Sequence, residues 1–432
     1  MDRSIIRSNL RIIKRLYQIG IWAYGLALGL AAPFHTKAGQ WVAGRKDWHR
    51  VLRQQLSDKK GPWIWFHCAS LGEFEQGRNL LERIKGDHPE YQILLTFFSP
   101  SGYEIRKHYQ HADLVCYLPL DTARNAERFV SLFDLKLVFF IKYELWLNYL
   151  EALAKRDIPT LLVSARFDAQ SKFVRSPMQG LYQQAFQSLA HIFTQDQGTK
   201  DALARIGISQ NVSVSGDTRF DRVSSNASEW KPIEEIAAFK KERLCIVAGS
   251  SWPKGEDMLL EFFDRCAERF DLCMILAPHE INQNRIEEHM RSRAAISLKH
   301  SNIAQLNDQH RILWIDNIGM LSKLYAYADV AYVGGGWGTG LHNILEAVVF
   351  GCPVLFGPEH HKFPEAQALI EAGGGFAVAN LEAMQDCLAS LLDKDQLRLE
   401  VSRKNKSFVA EQAGATEQII HWCRSEGLLP QQ

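Results

Sequence analysis

The chain has 432 residues, of which 46% are hydrophobic and 23% charged, and these proportions are typical of a folded globular protein. A chain of this length is expected to form two domains, because single hydrophobic cores stop growing at roughly 250–300 residues. Lys and Arg total 50 against 49 Asp and Glu, so there is no basic excess and we predict no nucleic-acid partner. The eight cysteines include no CxxC pair, which predicts neither a zinc site nor a disulfide framework and fits a reducing compartment.

The N-terminal segment has the composition of a membrane-binding helix, because an uncharged run extends from Leu16 to Ala32. Basic residues flank this run on both sides: Arg3, Arg7, Arg11, Lys14 and Arg15 before it, and Lys37, Arg45, Lys46 and Arg50 after it. As a helix the run extends about 26 Å, slightly less than a ~30 Å hydrocarbon core. We predict a membrane anchor over residues 1–45 that spans the bilayer or lies in its interface, where Trp22, Tyr24 and Trp41 are favoured. A cleaved signal peptide and a buried core helix are the alternatives.

From Pro62 onward, short apolar runs alternate with amphipathic stretches, which predicts βαβ units and parallel sheets. The alternation pauses at a polar segment around Ser224 to Ser228 and then restarts. We therefore predict an α/β fold with a Rossmann-like domain at 46–222, a linker at 223–232 and a second Rossmann-like domain at 233–432. The last helix belongs to the second domain or packs back on the first. Two such domains are expected to hold a ligand cleft at the C-terminal ends of their strands.

The first candidate site is Ser70-Leu-Gly-Glu73, directly after the apolar run Trp63 to His67. Serine and glutamate three residues apart form a capping box, in which each side chain bonds a backbone N–H at the start of a helix. Alternatively Glu73 faces the cleft and acts as a base. The two interpretations are compatible, since Ser70 can cap the helix while Glu73 points elsewhere.

The second candidate is Glu144, in the segment Lys142 to Asn148 after the apolar run Leu137 to Ile141. A carboxylate at the C-terminal end of a strand lies at the edge of the predicted cleft. The alternative is a glutamate that opens a helix, where the helix dipole favours negative charge.

The third candidate is the glycine-rich segment Gly334 to Glu346, which follows the apolar run Val330 to Val333. Glycines that lead into a helix present backbone N–H groups to an anion, and the spacing of His342, Asn343 and Glu346 predicts one shared helix face. The segment lacks the P-loop spacing, so we predict a nucleotide or phosphate site of another kind. Two further loops follow other predicted strands and are read either as phosphate contacts or as ordinary loops: Gly249-Ser250-Ser251 and Ala277-Pro278-His279.

Several short motifs, distributed over nearly the whole chain, are more specific together than any is alone. They are Ser70-Leu-Gly-Glu73, Ser99-Pro-Ser101-Gly102, Glu144-Leu-Trp146-Leu-Asn148, Ser164-Ala-Arg166, Gly216-Asp-Thr-Arg-Phe-Asp221, Gly249-Ser250, Ala277-Pro278, His342-Asn343-Ile-Leu-Glu346 and Phe356-Gly-Pro358. In these motifs the chain resembles the Kdo transferase family, which adds 3-deoxy-D-manno-octulosonic acid (Kdo) to the lipid A precursor. The resemblance implies a GT-B fold, a CMP-Kdo donor, inversion at the sugar, and neither a metal nor another cofactor.

The resemblance also implies roles for individual residues: Glu73 as general base and Glu144 in support on the acceptor side. The predicted donor contacts are Ser250, Ser251, Pro278, His279, Gly335, Gly336, His342, Asn343 and Glu346. The predicted acceptor contacts are Ser70, Gly72, Ser101, Trp146, Asn148 and Arg166. The chain departs from the family pattern at three places. Lys142 stands where the family has an acidic residue, Leu147 stands where it has a proline, and His279-Glu280 stands where it has an Arg-His pair. A histidine contacts phosphate more weakly than arginine and does so in a pH-dependent way.

The sequence thus predicts an inverting, metal-independent transfer of Kdo from CMP-Kdo to a lipid A precursor (lipid IVA). The expected location is the cytoplasmic face of the inner membrane, on the membrane surface. One alternative is another GT-B lipid glycosyltransferase that uses a UDP-sugar. A second is a non-catalytic, membrane-bound sugar-nucleotide binder.

Overall fold

The computed structural model describes residues 3–167, 171, 173 and 178–431, and for residues 3–11 it describes the backbone alone. The chain forms two compact units, which we call the first unit (Met1–Arg222 and Ala413–Gln432) and the second unit (Val223–Gln412). Met1 and the side chains of Arg3, Arg7 and Arg11, which belong to the predicted anchor, lie outside the described part.

The first unit contains a parallel sheet of seven strands in the order β3-β2-β1-β4-β5-β6-β7. The strands are β1 Pro62–Cys68, β2 Gln92–Phe97, β3 Leu114–Tyr117, β4 Asp134–Ile141, β5 Thr160–Ala165, β6 His191–Thr194 and β7 Val212–Val214. The helices are α1 Arg3–Ala31, α2 Thr36–Ala43, α3 Trp48–Gln55, α4 Leu71–Asp87, α5 Pro100–Arg106, α6 Ala123–Val130, α7 Leu147–Ala154, α8 Gln179–Gln187, α9 Gln197–Arg205 and α10 Thr218–Ser228, which contains the boundary between the units.

The first sheet is buried on both faces, which explains why its strands are continuous apolar runs. Alternate side chains point to opposite faces: Trp65 and Phe140 belong to one hydrophobic cluster, and Phe66 and Phe139 to another. All four of these side chains have no exposed surface.

The second unit repeats this architecture with a parallel sheet in the order β10-β11-β9-β8-β12-β13-β14. Its strands are β8 Leu244–Ser251, β9 Leu272–Pro278, β10 Ser297–Lys299, β11 Ile312–Trp314, β12 Val330–Val333, β13 Val354–Phe356 and β14 Gly375–Ala377. Its helices are α11 Glu234–Lys240, α12 Pro253–Cys266, α13 Gln283–Arg291, α14 Leu321–Leu324, α15 Leu345–Val348, α16 Pro364–Glu371, α17 Leu381–Asp393 and α18 Asp395–Gln412, with 3₁₀ turns at His300–Gln305 and Tyr325–Tyr327. The predicted pair of parallel α/β sheets is therefore confirmed.

The segment that we expected to be an irregular linker is helical over its first part, because α10 continues to Ser228. Phe220 and Val223 are 5% and 3% exposed, so the helix buries an apolar side while its serines stay at the surface. Polar composition indicated a loop here, whereas the two apolar residues determine a helix.

The final helix, α19 Ala415–Ser425, belongs to the first unit. The carboxylate of Asp221 accepts hydrogen bonds from the backbone N–H groups of Gly414 and Thr416, at the start of this helix. Further along, Trp422 packs against the ring of His191 with centroids 4.4 Å apart.

Within the first unit, helix α1 makes polar contacts with the rest of the unit and leaves apolar side chains exposed. Tyr17 donates a hydrogen bond to the buried Asp121, and Lys14 pairs with Glu151. Large side chains spaced three or four residues apart are 54–71% exposed and form what we call the apolar row: Ile12, Leu16, Ile19, Trp22, Leu26 and Leu30. No residue from 12 to 31 is buried, which argues against the core-helix alternative.

Taken singly, no helix in the described part of the chain has both the length and the apolar composition needed to cross a membrane. One pair of helices satisfies both criteria when the two are taken together, Ile12–Ala31 and Thr36–Ala43. The pair is bent by 118° at the break between them.

Candidate functional site

The end of β1 and the start of α4 bring Ser70 and Glu73 together. The Ser70 hydroxyl donates to Oε2 of Glu73 and caps no backbone N–H of the helix, so the capping-box interpretation of this pair is not what the structure shows. Glu73 is 7% exposed, and its Oε1 lies 3.9 Å from Nζ of Lys142. Because Lys142 follows β4, the neighbour of β1 in the sheet, two adjacent strand ends supply this cluster.

A second carboxylate, Glu144, lies in the turn after β4, beside His67 of β1. Oε2 of Glu144 lies 3.8 Å from Nε2 of His67, a side chain with no exposed surface. Nε2 accepts a hydrogen bond from the indole of Trp146 at 2.9 Å, and Nδ1 lies 2.8 Å from the hydroxyl of Thr96. This network assigns the proton of the neutral imidazole to Nδ1. It fixes the ring between Thr96 of β2 and Trp146, which follows β4.

Glu73 and Glu144 belong to one electrostatic environment. Together with burial, their charges raise the pKa of the Tyr143 phenol and the pKa of the buried Cys68 thiol. Burial is the larger cause in both cases. The two predicted catalytic carboxylates thus lie at the C-terminal ends of adjacent strands, as expected from their position in the sequence.

The remaining predicted acceptor residues are distributed over the same edge of the sheet. Gly72 lies in the first turn of α4 and Ser101 in that of α5, where its hydroxyl is 3.0 Å from that of Ser99. Arg166 follows β5 and lies 3.9 Å from Asp196. Asn148 is different: it is 3% exposed and its amide donates to the backbone oxygen of Asp121 at 2.6 Å, which is a structural contact.

In the second unit, the predicted donor residues lie at or after the ends of three neighbouring strands, β9, β8 and β12. Ser250 has a positive φ of 47°, and the buried Ser251 donates to Glu256 at 2.9 Å. The second oxygen of Glu256 accepts from Arg285 at 2.9 Å. Ser251 is therefore committed to an internal network, whereas Ser250 lies beside it at the strand end.

His279, Trp252 and His342 form a group of stacked rings. The centroid of His279 lies 4.5 Å from that of Trp252 and 4.4 Å from that of His342. Burial, with a smaller contribution from His279, lowers the pKa of His342 to about 4, so this imidazole is neutral near pH 7. The Trp252 indole donates to its Nε2 at 3.2 Å, which leaves Nδ1–H as a donor. Pro278, the last residue of β9, immediately precedes this group.

The glycine loop after β12 is closely packed against backbone. Gly335 and Gly336 have φ values of 101° and 77°, which only glycine adopts readily. A Cβ on Gly335 would lie 2.2 Å from the oxygen of Gly340, and one on Gly336 would lie 2.8 Å from that of Gly357. The N–H of Gly336 donates to Thr339 within the loop, so the loop offers fewer amides to an anion than the sequence indicated.

The predicted helix face that joins His342 to Glu346 is wrong, because α15 begins at Leu345. His342 and Asn343 precede that helix in an irregular segment. Oδ1 of Asn343 accepts from the N–H of Leu345 at 3.2 Å, while its amide donates to Glu346 at 3.1 Å. Asn343 and Glu346 therefore remain in contact, whereas the His342 ring contacts Trp252 and His279.

Four residues that position the predicted ones were assigned no individual role: His67, Thr96, Trp252 and Glu256. His67 begins the first candidate segment, and Trp252 and Glu256 lie in the candidate loop that begins at Gly249, whereas Thr96 was not singled out. Each lies at or near the end of a central strand, next to a predicted site residue. The spacing of aromatic and histidine residues at strand ends was the available signal, and it is weak without the strand register.

Among the residues that the structure describes, no group of three or more His, Cys, Asp or Glu side chains is placed to hold a metal ion. All eight cysteines are free thiols.

The first unit matches a family of known proteins. Residues 46–222 match the family described as 3-deoxy-D-manno-octulosonic-acid transferase (kdotransferase). Over 386 residues the chain is 25% identical to the 3-deoxy-D-manno-octulosonic acid transferase of Haemophilus influenzae, with 85% of this chain and 90% of that protein covered. The enzyme of the same name from Chlamydia trachomatis serovar D is 27% identical over 377 residues, with 85% of this chain and 86% of that protein covered.

Among solved structures, the chain is similar to a putative UDP-N-acetylglucosamine 2-epimerase from Listeria monocytogenes. The TM-score is 0.60 at 14% identity, over 85% of this chain and 97% of that one. At this identity the likeness concerns the fold alone, and with the two parallel sheets it confirms the predicted GT-B class.

Proposed function

We propose that the chain transfers Kdo from CMP-Kdo to a lipid A precursor, lipid IVA, in lipopolysaccharide synthesis, because residues 46–222 match the Kdo transferase family and most of the chain is similar to transferases of that name. The observation that carries the proposal is the pair of carboxylates, Glu73 and Glu144, at adjacent strand ends within the matched residues 46–222. Such a pair provides a base and a second polar group for one sugar hydroxyl.

In this proposal Glu73 is the general base that takes the proton of the acceptor hydroxyl as the hydroxyl attacks the donor sugar. The Ser70 hydroxyl donates to one carboxylate oxygen, and Nζ of Lys142 lies 3.9 Å from the other. Glu144 then accepts a hydrogen bond from the acceptor sugar, because it lies in the turn after β4, beside His67 at 3.8 Å. A single base on the acceptor side is the requirement of direct, inverting transfer.

The second unit holds the donor in this proposal. The leaving group is a nucleoside monophosphate, and hydrogen-bond donors stabilise its developing charge. His342 contributes Nδ1–H as a neutral donor, and Gly335 and Gly336 allow the tight packing of the loop that leads to it. Asn343 and Glu346 offer polar atoms for the sugar or the ribose. This donor set requires neither a metal nor another cofactor.

The membrane partner in the proposal is the cytoplasmic face of the inner membrane. Lys14 and Arg15 lie near the start of the apolar row of α1 and Lys37 follows it, a pattern that binds an interface rich in anionic lipid. Deleting residues 1–32, or replacing the exposed Leu16 and Ile19 with glutamate, is expected to shift the protein from the membrane pellet to the supernatant. Continued sedimentation of both variants with membranes would place docking elsewhere.

The proposed reaction is tested by incubating the purified full chain with lipid IVA and either CMP-Kdo or a UDP-sugar. The mass of the lipid product is then measured by mass spectrometry. We expect a mass gain of Kdo and release of CMP. Release of UDP would support the other GT-B glycosyltransferase, and binding without turnover would support the non-catalytic alternative.

A further inference from the structure

A cavity of about 700 Å³ lies in the first unit, apart from the residues assigned to catalysis. Its apolar walls are Trp22 and Leu26 of α1, Trp41 of α2, Trp48 of α3, and Leu120 after β3. Its volume is within the range of roughly 300–1,000 Å³ that is usual for ligand sites. An apolar site of this size fits a hydrocarbon chain better than it fits a sugar.

The cavity is continuous with the exposed apolar row. Trp22 and Leu26 belong to both, and they are 71% and 63% exposed. A chain that leaves a bilayer beneath α1 therefore reaches the cavity along apolar side chains without crossing water.

The polar lining of the cavity is positively charged. Arg45, Lys46 and Arg124 are among its lining residues, and none of the lining residues is acidic. Lys46 and Arg124 are exposed and pair with no carboxylate in the described part of the chain. Such an excess of cations is complementary to a phosphate group.

Arg45 adds a buried positive charge to this lining. Its guanidinium lies 3.9 Å from the centre of the Trp41 ring and donates to the backbone oxygens of Phe98 and Leu118, both at 2.8 Å. Burial lowers its pKa to about 9, which is the expected response of a cation bonded to carbonyls and not to a carboxylate.

A row of aromatic contacts joins the cavity to the proposed catalytic site. The Trp41 and Phe98 rings are 5.7 Å apart, and Phe98 lies 4.5 Å from Trp146. Trp146 in turn bonds His67, beside Glu144. Packed aromatic rings therefore link the cavity to the proposed catalytic site within the first unit.

We propose that this cavity binds one acyl chain of the phosphorylated glycolipid acceptor, with a phosphate near Lys46 and Arg124. The proposal rests on the proposed function, since it assigns part of the acceptor to a site. When the sugar rises from the bilayer to reach Glu73, its acyl chains are drawn toward water. Each exposed methylene lowers affinity about fourfold, and the cavity removes that loss for one chain.

Two glycines of α1 provide a matched pair of variants. A Cβ added to Gly29, which lines the cavity, meets no atom within 4 Å, and the same is true of Gly20, which does not line it. Gly29→Trp therefore fills the cavity, whereas Gly20→Trp adds the same ring to the same helix outside it. Both variants gain equally in helix propensity and in membrane affinity.

Acceptor kinetics provide the first test. We expect Gly29→Trp to raise KM at least tenfold for acylated lipid IVA, and to leave KM within twofold of wild type for the deacylated acceptor and for CMP-Kdo. Gly20→Trp is expected to leave all three values unchanged. An unchanged KM for lipid IVA in Gly29→Trp would overturn the proposal, and the unchanged donor KM verifies that the variant is folded.

Binding of dodecyl phosphate, measured by calorimetry below its micelle concentration, tests the cavity independently of transfer. We expect Gly29→Trp to weaken this binding at least tenfold. The double variant Lys46→Gln/Arg124→Gln should weaken the binding of dodecyl phosphate but not the binding of dodecanol. The control is Arg53→Gln, which removes an exposed cation of α3 that does not line the cavity. Equal affinity of wild type and Gly29→Trp for dodecyl phosphate would refute an acyl-chain site.

Acceptor-free vesicles of phosphatidylethanolamine and phosphatidylglycerol distinguish the acceptor from bulk lipid. If Gly29→Trp weakened vesicle binding and left KM for lipid IVA unchanged, the occupant would be a membrane phospholipid and the proposal would be wrong. If the unaltered enzyme transferred no Kdo to any acceptor, the proposed function would fail. The dodecyl phosphate measurement would then still decide whether the cavity takes a phosphorylated chain.

Discussion

Replacing Glu73 with glutamine separates its proposed chemical role from a structural one. Glutamine keeps the size of the side chain and an oxygen that can accept the Ser70 hydrogen bond. It cannot take a proton from the acceptor hydroxyl. A positioned base typically contributes ~10²–10⁴ in rate, so we expect transfer to fall at least about a hundredfold, which corresponds to about 2.7 kcal/mol in the activation barrier.

The expected loss of stability in Glu73→Gln is smaller. The variant removes one ion pair with Lys142 at 3.9 Å, in which the side chains are 28% and 10% exposed. A pair this long, with a lysine that can turn to solvent, contributes at most about 1 kcal/mol. In a unit of this size that loss lowers Tm by about 2–4 °C. Rate and stability therefore change by clearly different amounts.

The matched control is Glu75→Gln, two positions further along α4. Glu75 pairs with Arg106 at 2.8 Å and with Arg78 at 3.6 Å, so its loss removes comparable charge interactions. We expect Glu75→Gln to retain transfer. The assay is CMP release in the presence of lipid IVA, with thermal unfolding and the Kd for CMP-Kdo measured on the same samples. Near-normal turnover in Glu73→Gln would refute its role as base and leave Glu144 as the candidate.

Three further predictions concern the donor, metal ions and pH. Asn343→Ala and Glu346→Ala are expected to weaken CMP-Kdo binding while the exposed control Glu382→Ala does not, and unchanged calorimetric Kd values would remove these residues from the donor site. Turnover is expected to survive chelator, and its loss with recovery on adding magnesium or manganese would contradict the metal-free mechanism. Burial raises the pKa of Asp121 from its usual 3.8 to about 6, so the folded chain keeps a proton that the unfolded chain releases between these pH values. The free energy of unfolding is therefore expected to lose up to about 3 kcal/mol as pH rises through this window, and urea titrations of Asp121→Asn should lack that loss.

The central strands could be predicted from the sequence because each is an uninterrupted apolar run, which only a sheet buried on both faces requires. The strands that sequence analysis missed are β7, β10 and β14, each of three residues at an edge of its sheet. Their segments, Val-Ser-Val, Ser-Leu-Lys and Gly-Phe-Ala, are not uninterrupted apolar runs, whereas the equally short β11 and β13 are. The conformation of β7, β10 and β14 is determined by pairing with a neighbouring strand, which is a long-range interaction.

The positions of the candidate site residues could be predicted, but their hydrogen bonds could not. Glu73 and Glu144 were placed at strand ends from the order of apolar and polar segments alone. The contact of His67 with Thr96 depends on the register of β1 against β2, where these two residues are partners. The side chain of Asn343 bonds the Leu345 N–H, so the helix starts later than its spacing indicated.

The return of α19 to the first unit has a consequence for synthesis on the ribosome. The second unit is one continuous stretch, Val223–Gln412, inserted between the two parts of the first. At roughly 5–20 residues per second its translation takes about 10–40 s, and it can fold as a unit during this time. Throughout that delay Asp221 lacks the N–H groups of Gly414 and Thr416, and the His191 ring lacks Trp422. The part of the protein that is translated first is therefore completed last, and a nascent chain stalled before Ala413 presents an unfinished first unit to chaperones and proteases.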